Sequence, residues 1–407
     1  MDIFERLESN VRGYCRLYPT VFDTALNARQ WDVDGREYID FFAGAGVLNY
    51  GHNNEKMRQA MVDYLMANGV CHSLDMASRT KAQFMQAFED IILKPRKLDY
   101  KLQFTGPTGT NSVEAALKLA RKVTGRRTVA AFTNGFHGMT LGALDCTANS
   151  MYRNASGVPL NNVERVPFEG YLDNSEDTLD ALRNALTDSS SGVEPPAAFI
   201  VETIQAEGGV NVASAEWLQK VQALAHEHGA LFIIDDIQVA CGRTGAFFSF
   251  EELGLSPDLV CLAKGIGGYG TPLAMVLIKP EYDQWKPGEH SGTFRGQNLS
   301  FVAGTQALNY YKNDKFMASV TAKGQHMQGK LNAMIPNHFS IRGRGMIFGI
   351  DTGSGETASA ILKKAFENGL LVAKCGTDGR VVKMTPPLTI EDDTLDKGLD
   401  ILANSLL

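Results

Sequence analysis

The chain has 407 residues, more than one hydrophobic core usually serves, so two or three domains are expected. Its 44% hydrophobic and 21% charged residues are an ordinary globular balance, and a formal net charge of −7 without a basic run argues against a nucleic-acid binder held by phosphate contacts. The start, MDIFERLESN, lacks a basic-then-apolar signal segment, and no apolar run approaches the length of a membrane span. The cysteines (Cys15, Cys71, Cys146, Cys241, Cys261, Cys375) form no CxxC pair, so the expectation is a cytoplasmic protein with no membrane contact, disulfide framework or metal site.

Residues 1 to about 45 open with an amphipathic piece, IFERLESNVRGYCRLY. WDVDGREYIDFFAG follows, whose DG turn between alternating runs reads as a β-hairpin. These elements are too short to fold alone and are expected to join the C-terminal part. GAGVLNYGHNN leads into a helix near Glu55 to Ala67. KLQFT then reads as a strand, GPTGTN as a tight loop, and SVEAALKLARKVTG as a helix closed by Gly125. Asn111 and Glu114 have capping-box spacing, and the loop with the helix N-terminus suits a phosphate.

TVAAF is the next strand and runs into TNGFHGMT, where Phe136 and His137, just past the strand edge, are candidates to stack on a planar ring. Asn149 to Val193 reads as loop-rich. The strand AAFIVE delivers Glu202, TIQAEGG adds Glu207, and Ala213 to His228 makes a helix capped by Ser214. Alternation of strands and helices implies a mostly parallel sheet with right-handed crossovers.

Two apolar runs then end in ionisable groups. Ala230 to Ile234 stops at Asp235 and Asp236, and Leu259 to Ala263 stops at Lys264. Both have the length of buried strands, and the C-terminal edge of an open α/β sheet is where ligands bind. A lysine for a Schiff base and an aspartate for a pyridinium nitrogen are how pyridoxal phosphate is held. Taken alone, the pair fits a structural salt bridge as well. GIGGYG matches a dinucleotide fingerprint literally but leads into the strand-like TPLAMVLI rather than a helix, which rejects a nicotinamide or flavin site. EHSGTFRGQN precedes a helix opening near Leu299, and from about Lys315 helices alternate with short strands as an α+β layer.

DDIQVACGRTG, LAKGIGGYGTP, IVETIQAEGG and SGTFRG occur in the order found in class III (ω-) aminotransferases of pyridoxal phosphate fold type I, and Lys264 follows Asp235 by 29 residues. The chain resembles that family over essentially its full length. Within it the likeness is to the subgroup acting on L-2,4-diaminobutyrate and 2-oxoglutarate, carried by IFERLESNVRGYCRLYPTVF, QFTGPTGTNSVEAALKLARKVTGR, WKPGEHSGTFRG and VVKMTPPLTIEDDTLDKGLDIL.

The resemblance implies an aspartate aminotransferase-like α/β fold. Residues 51–299 would form a large α/β/α domain with a mostly parallel sheet, and 300–407 a small α+β domain joined by 1–50. It implies that Lys264 binds the cofactor covalently and then moves the substrate proton. Asp235 would pair with the ring nitrogen, Gln238 with the phenolic oxygen, and Phe136 with the ring face. Gly109 and Thr110 would hold the phosphate, together with Thr293 from a neighbouring subunit, making a homodimer with shared active sites the minimum assembly. Glu202, Glu207 and Lys383 fall on the substrate side, with Glu207 gating the α-carboxylate site. Two positions depart from many relatives, Met139 and Lys383 standing where arginines are common. Lysine lacks the bidentate fork of arginine, and both departures accord with the diaminobutyrate subgroup in ectoine biosynthesis. Siderophore-linked diaminobutyrate supply, 4-aminobutyrate or ornithine aminotransferases and the aminomutases use the same lysine and aspartate.

Overall fold

The computed structural model describes residues 2–172 and 179–406. The strands that read as continuous apolar runs lie at the centre of a seven-stranded sheet. Its spatial order is Lys101–Phe104, Met275–Ile278, Leu259–Leu262, Leu231–Asp235, Ala198–Val201, Val129–Phe132 and Val163–Val166. Met275–Ile278 runs antiparallel to both of its neighbours, and the remaining pairs are parallel.

Every residue of the five strands from Met275–Ile278 to Val129–Phe132 is buried, which is why they carry no polar alternation. Successive side chains still point to opposite faces. Phe199, Val201, Phe232, Ile234, Val260 and Leu262 enter one core with Trp217 and Leu218 of the helix Ala215–Glu227. Ala198, Ile200, Leu231, Ile233, Leu259 and Cys261 enter another with Val113 to Ala120 of the helix Gly109–Thr124. The result is an α/β/α stack.

The N-terminal hairpin is present as Arg29–Asp32 and Glu37–Asp40, with Phe22–Leu26 alongside, and Leu370–Leu371 adds to Glu37–Asp40 in parallel. Ala28, Ile39 and Phe41 accordingly share a core with Val320, Leu331, Phe348 and Leu399 of the C-terminal part. That part holds an antiparallel four-stranded sheet, Ser340–Arg344, Ile347–Asp351, Val381–Met384 and Ala373–Cys375. The helices Lys315–Met334, Gly355–Glu367 and Asp392–Leu406 accompany it. The helix Asn298–Leu308 packs into the large core through Phe301, Ala307 and Leu308. Arg243 joins the parts: its buried guanidinium donates to the carbonyls of Met346 (2.9 Å) and Pro386 (2.6 Å) and to Asn49 Oδ1 (2.7 Å).

Three local expectations change. The capping box at Asn111 and Glu114 does not form, because the helix begins earlier, at Gly109, with Thr108 before it. Glu114 instead accepts from Thr140 Oγ1 (2.6 Å) and Ala143 N (3.0 Å), and Asn111 accepts from Thr108 Oγ1 (2.8 Å). The stretch from Asn149 to Val193 contains the edge strand Val163–Val166 and the helix Asp180–Thr187; its residues 173–178 lie outside the described residues. An edge strand faces water on one side, so its VERV pattern lacks an apolar run. Of the amphipathic opening, only Asp2–Leu7 is α-helical, followed by a single 3₁₀ turn at Tyr14–Arg16. Among the described residues no helix is long and apolar enough to cross a membrane.

Candidate active site

Strand register brings the ionisable residues to one edge of the sheet. Ile234 lies opposite Val201 and Asp235 opposite Cys261, so Glu202 and Asp235 emerge side by side from adjacent strands, and Lys264 follows three residues beyond Cys261 at the end of the next strand over. Lys264 has φ +52°, a left-handed conformation that a residue with a Cβ seldom adopts outside a constrained site. Its position ends the apolar strand and begins the 3₁₀ turn Lys264–Gly267. GIGGYG thus runs from that turn toward the strand Met275–Ile278, with no helix of the dinucleotide type.

Burial lowers the Lys264 pKa to about 8, opposed by the negative charge of Glu207. Asp235 is buried, and its Oδ2 lies 2.7 Å from His137 Nδ1 while Oδ1 accepts from Ile237 N at 3.2 Å. His137 is itself buried in the loop after Val129–Phe132, with its backbone N–H on Thr147 Oγ1 at 2.9 Å. Glu202 accepts from Phe136 N at 2.9 Å; burial and then the Asp235 charge hold its carboxyl well above the ordinary range. Phe136 is half-buried, edge-on to Tyr152 at 5.8 Å.

A second group of charges adjoins the first. Lys383 is buried at the middle of Val381–Met384 and donates to Glu207 Oε1 and to Gln238 Oε1 (3.2 Å). Gln238 Nε2 donates to Glu207 Oε1 at 3.1 Å and to the carbonyl of Ala45 at 3.0 Å. Against burial, which raises it, Lys383 and then Lys264 draw the Glu207 carboxyl down to about 2; against burial, Glu207 keeps the Lys383 ammonium above its ordinary value. Tyr14 and Tyr152 are raised by burial first and by the same Glu207 charge second.

The phosphate candidates adjoin these groups. A Cβ on Gly109 would sit 3.1 Å from Ile237 Cδ1 and Cγ2, two residues past Asp235. Thr110 Oγ1 lies 2.6 Å from Thr140 Oγ1, which packs the loop after His137 onto the helix start. No side chain caps the helix Gly109–Thr124, leaving N-terminal N–H groups and the positive end of its dipole for an anion.

Lys264, Asp235, Gln238, Glu202, Glu207 and Lys383 are thus linked by contact or by charge, and Gly109, Thr110 and Phe136 border them. Thr293 stands apart, exposed beside an exposed Phe294. Met139 is exposed at the rim. From the sequence His137, in FHG, is a candidate to stack on a planar ring, whereas here it faces Asp235; Tyr14, Tyr152 and Ala45 carry no such sequence signal.

The family profile of class-III aminotransferases matches residues 13–406. The chain belongs to the class-III aminotransferases. Relatives in this family include the diaminobutyrate–2-oxoglutarate transaminase of Halalkalibacterium halodurans, 52% identical over 410 residues, covering 100% of this chain and 96% of that protein. The transaminase of the same name from Nocardia farcinica is 53% identical over 409 residues, covering 100% and 94%. Among solved aminotransferase structures, the ornithine aminotransferase of Toxoplasma gondii, crystallised with oxidised glutathione and with partial occupancy of PLP at its active site, matches with a TM-score of 0.86. It is 26% identical and covers 100% of this chain and 92% of its own.

Proposed function

We propose that this aminotransferase interconverts L-2,4-diaminobutyrate plus 2-oxoglutarate and L-aspartate 4-semialdehyde plus L-glutamate, with pyridoxal phosphate as cofactor. The observation that carries the reading is the full-length identity of 52% and 53% to transaminases of that name. A pathway that consumes diaminobutyrate, ectoine biosynthesis first among them, accords with it.

The donor set fits the cofactor. Lys264 offers an amine whose pKa of about 8 leaves a usable neutral fraction near pH 7. Asp235, fixed by His137, offers an oriented carboxylate to a ring nitrogen. The uncapped helix start at Gly109 and Thr110 offers an anion cradle in which a Cβ at Gly109 would press on Ile237. When bound, pyridoxal phosphate supplies an electron sink for a carbon losing a proton.

With the cofactor bound, Lys264 would take the proton from the substrate carbon that bears the amino nitrogen and return it to the carbon on the far side of that nitrogen. Asp235 would keep a positive charge favourable at the ring nitrogen, an interaction that would matter most in the transition state. Glu202, its carboxyl held well above the ordinary range, lies beside Asp235 without adding a second full negative charge. Lys383 is the cation positioned for an α-carboxylate, and Glu207 covers it until such a carboxylate arrives. Thr293 would complete the phosphate site of a second copy, and the exposed Phe294 next to it supports that surface as the dimer contact.

The test is a complete reaction. Purified protein with pyridoxal phosphate, diaminobutyrate and 2-oxoglutarate should form glutamate and aspartate semialdehyde in equal amounts, and Lys264→Ala should form neither. Rearrangement of diaminobutyrate without any keto acid would contradict transamination and establish an aminomutase.

A further inference from the structure

Behind Gln238 lies a backbone segment that the catalytic reading does not use. Ala43, Gly44, Ala45 and Gly46 have φ of +47°, +58°, +57° and +91°, a complete left-handed turn in which two residues carry a Cβ. Such a run is unfavourable for L-residues and persists only where its surroundings impose it. The imposing group is Asp40, which is fully buried. Its Oδ1 accepts from Phe42 N (2.8 Å) and Ala43 N (2.7 Å), and its Oδ2 faces His52 Nε2 (2.8 Å) and accepts from Gln30 Nε2 (3.0 Å). Thr385, two residues beyond Lys383, fastens the start of the turn by donating to the carbonyls of Phe41 (backbone N, 2.7 Å) and Phe42 (Oγ1, 3.0 Å).

The turn ends against the site. The Ala45 carbonyl accepts from Gln238 Nε2 at 3.0 Å, and a Cβ on Gly46 would lie 3.4 Å from Gln238 Cγ. The Ala45 carbonyl and the Glu207 carboxylate only accept, and the Lys383 ammonium only donates. The Gln238 amide therefore has one orientation, with Nε2 toward Ala45 and Glu207 and Oε1 toward Lys383. If Glu207 turns aside, Ala45 is the partner that still fixes that amide, and through it the Lys383 ammonium.

We propose that Asp40 is a positioning residue: by holding the left-handed turn 43–46 it fixes Gln238 and so keeps Lys383 aimed at the α-carboxylate of the dicarboxylate partner. The proposal rests on the aminotransferase reading and adds to it a residue that touches neither substrate nor cofactor. Loss of the turn weakens recognition of 2-oxoglutarate and glutamate more than it slows the chemical step.

The experiment compares wild type, Asp40→Ala and His52→Leu in the cofactor-loaded protein. It reads KM and kcat for 2-oxoglutarate, the Kd of 2-oxoglutarate by calorimetry, and thermal unfolding. Asp40→Ala should raise KM and Kd about tenfold with kcat changed less than about twofold. His52→Leu removes one partner of Asp40 from outside the turn and should raise both about threefold, so it decides the matter if Asp40→Ala does not fold. Adding Ala45→Gly to either variant should recover most of the loss, because glycine adopts the left-handed conformation without a Cβ penalty. Unchanged KM and Kd in the folded variants, or a loss that glycine does not relieve, overturns the proposal. Wild type that neither binds nor turns over 2-oxoglutarate overturns the functional reading and this proposal with it; normal wild type beside unchanged variants overturns the role of Asp40 alone.

Discussion

At the scale of single residues, burial shifts the protonation of Lys264 and of Asp236 with measurable consequences. Lys264 is lowered by burial to about 8 from 10.5, so its neutral fraction grows as pH approaches that value. The rate at which cofactor-free protein captures pyridoxal phosphate should rise with pH and level off above about 8, where an ordinary lysine would still be gaining. Stopped-flow absorbance across that range checks it. Asp236, next to Asp235, is fully buried, and burial raises its carboxyl to about 7 from 3.8. The folded chain keeps that proton between the two values while the unfolded chain has released it. The contribution of Asp236 to stability therefore falls as pH rises across that window and is flat above about 7. Asp236→Asn mimics the protonated carboxyl and should remove that part of the slope, giving stability equal to or above wild type at about pH 8 but not at about pH 5, as read from urea unfolding.

At the scale of elements, the decisive feature is the convergence of strand ends with one uncapped helix. Gly109 has no room for a branched side chain against Ile237. Gly109→Val should overpack that contact by about 1–3 kcal/mol and so weaken pyridoxal phosphate binding by roughly tenfold or more, measured by equilibrium dialysis, with the fold intact by circular dichroism. This is also the scale at which legibility in the sequence divides. The strands ending at Asp235 and Lys264 were readable because strands buried on both faces leave unbroken apolar runs with an abrupt polar stop. The helix Ala215–Glu227 was readable from its Ser214 cap, whose Oγ accepts from Trp217 N at 3.1 Å. His137 against Asp235 was not readable, because the two are 98 positions apart and no local period records their contact. Glu114 misled for the same reason: its spacing from Asn111 imitates a capping box, while its real partners are Thr140 and Ala143. The left-handed turn at Ala43 and Ala45 also escaped, since alanine carries no signal for positive φ.

At the scale of the whole molecule, the N-terminal hairpin and the C-terminal part share one core, so the site is enclosed by segments from both ends of the chain. Asn49 and Ala45 come from the beginning, Asp235 and Lys264 from the middle, and Lys383 from near the end, with Arg243 tying them through Asn49, Met346 and Pro386. Thr293, exposed in the single chain, belongs to this arrangement only if a second copy docks there. Mixed dimers test it. Lys264→Ala and Thr293→Glu proteins, each inactive or nearly so alone, should regain activity approaching about one quarter of wild type after mixing and subunit exchange, because one site of each mixed dimer is then intact. No recovery in verified mixed dimers would place the phosphate site wholly within one chain.

The most direct measurement is the absorbance of the cofactor-loaded protein during two successive additions. L-glutamate should bleach the band of the bound cofactor, and L-aspartate 4-semialdehyde should restore it faster than succinate semialdehyde or glutamate semialdehyde, with neither change in Lys264→Ala. A band that glutamate leaves untouched, or one restored equally by all three aldehydes, would contradict transamination directed at diaminobutyrate.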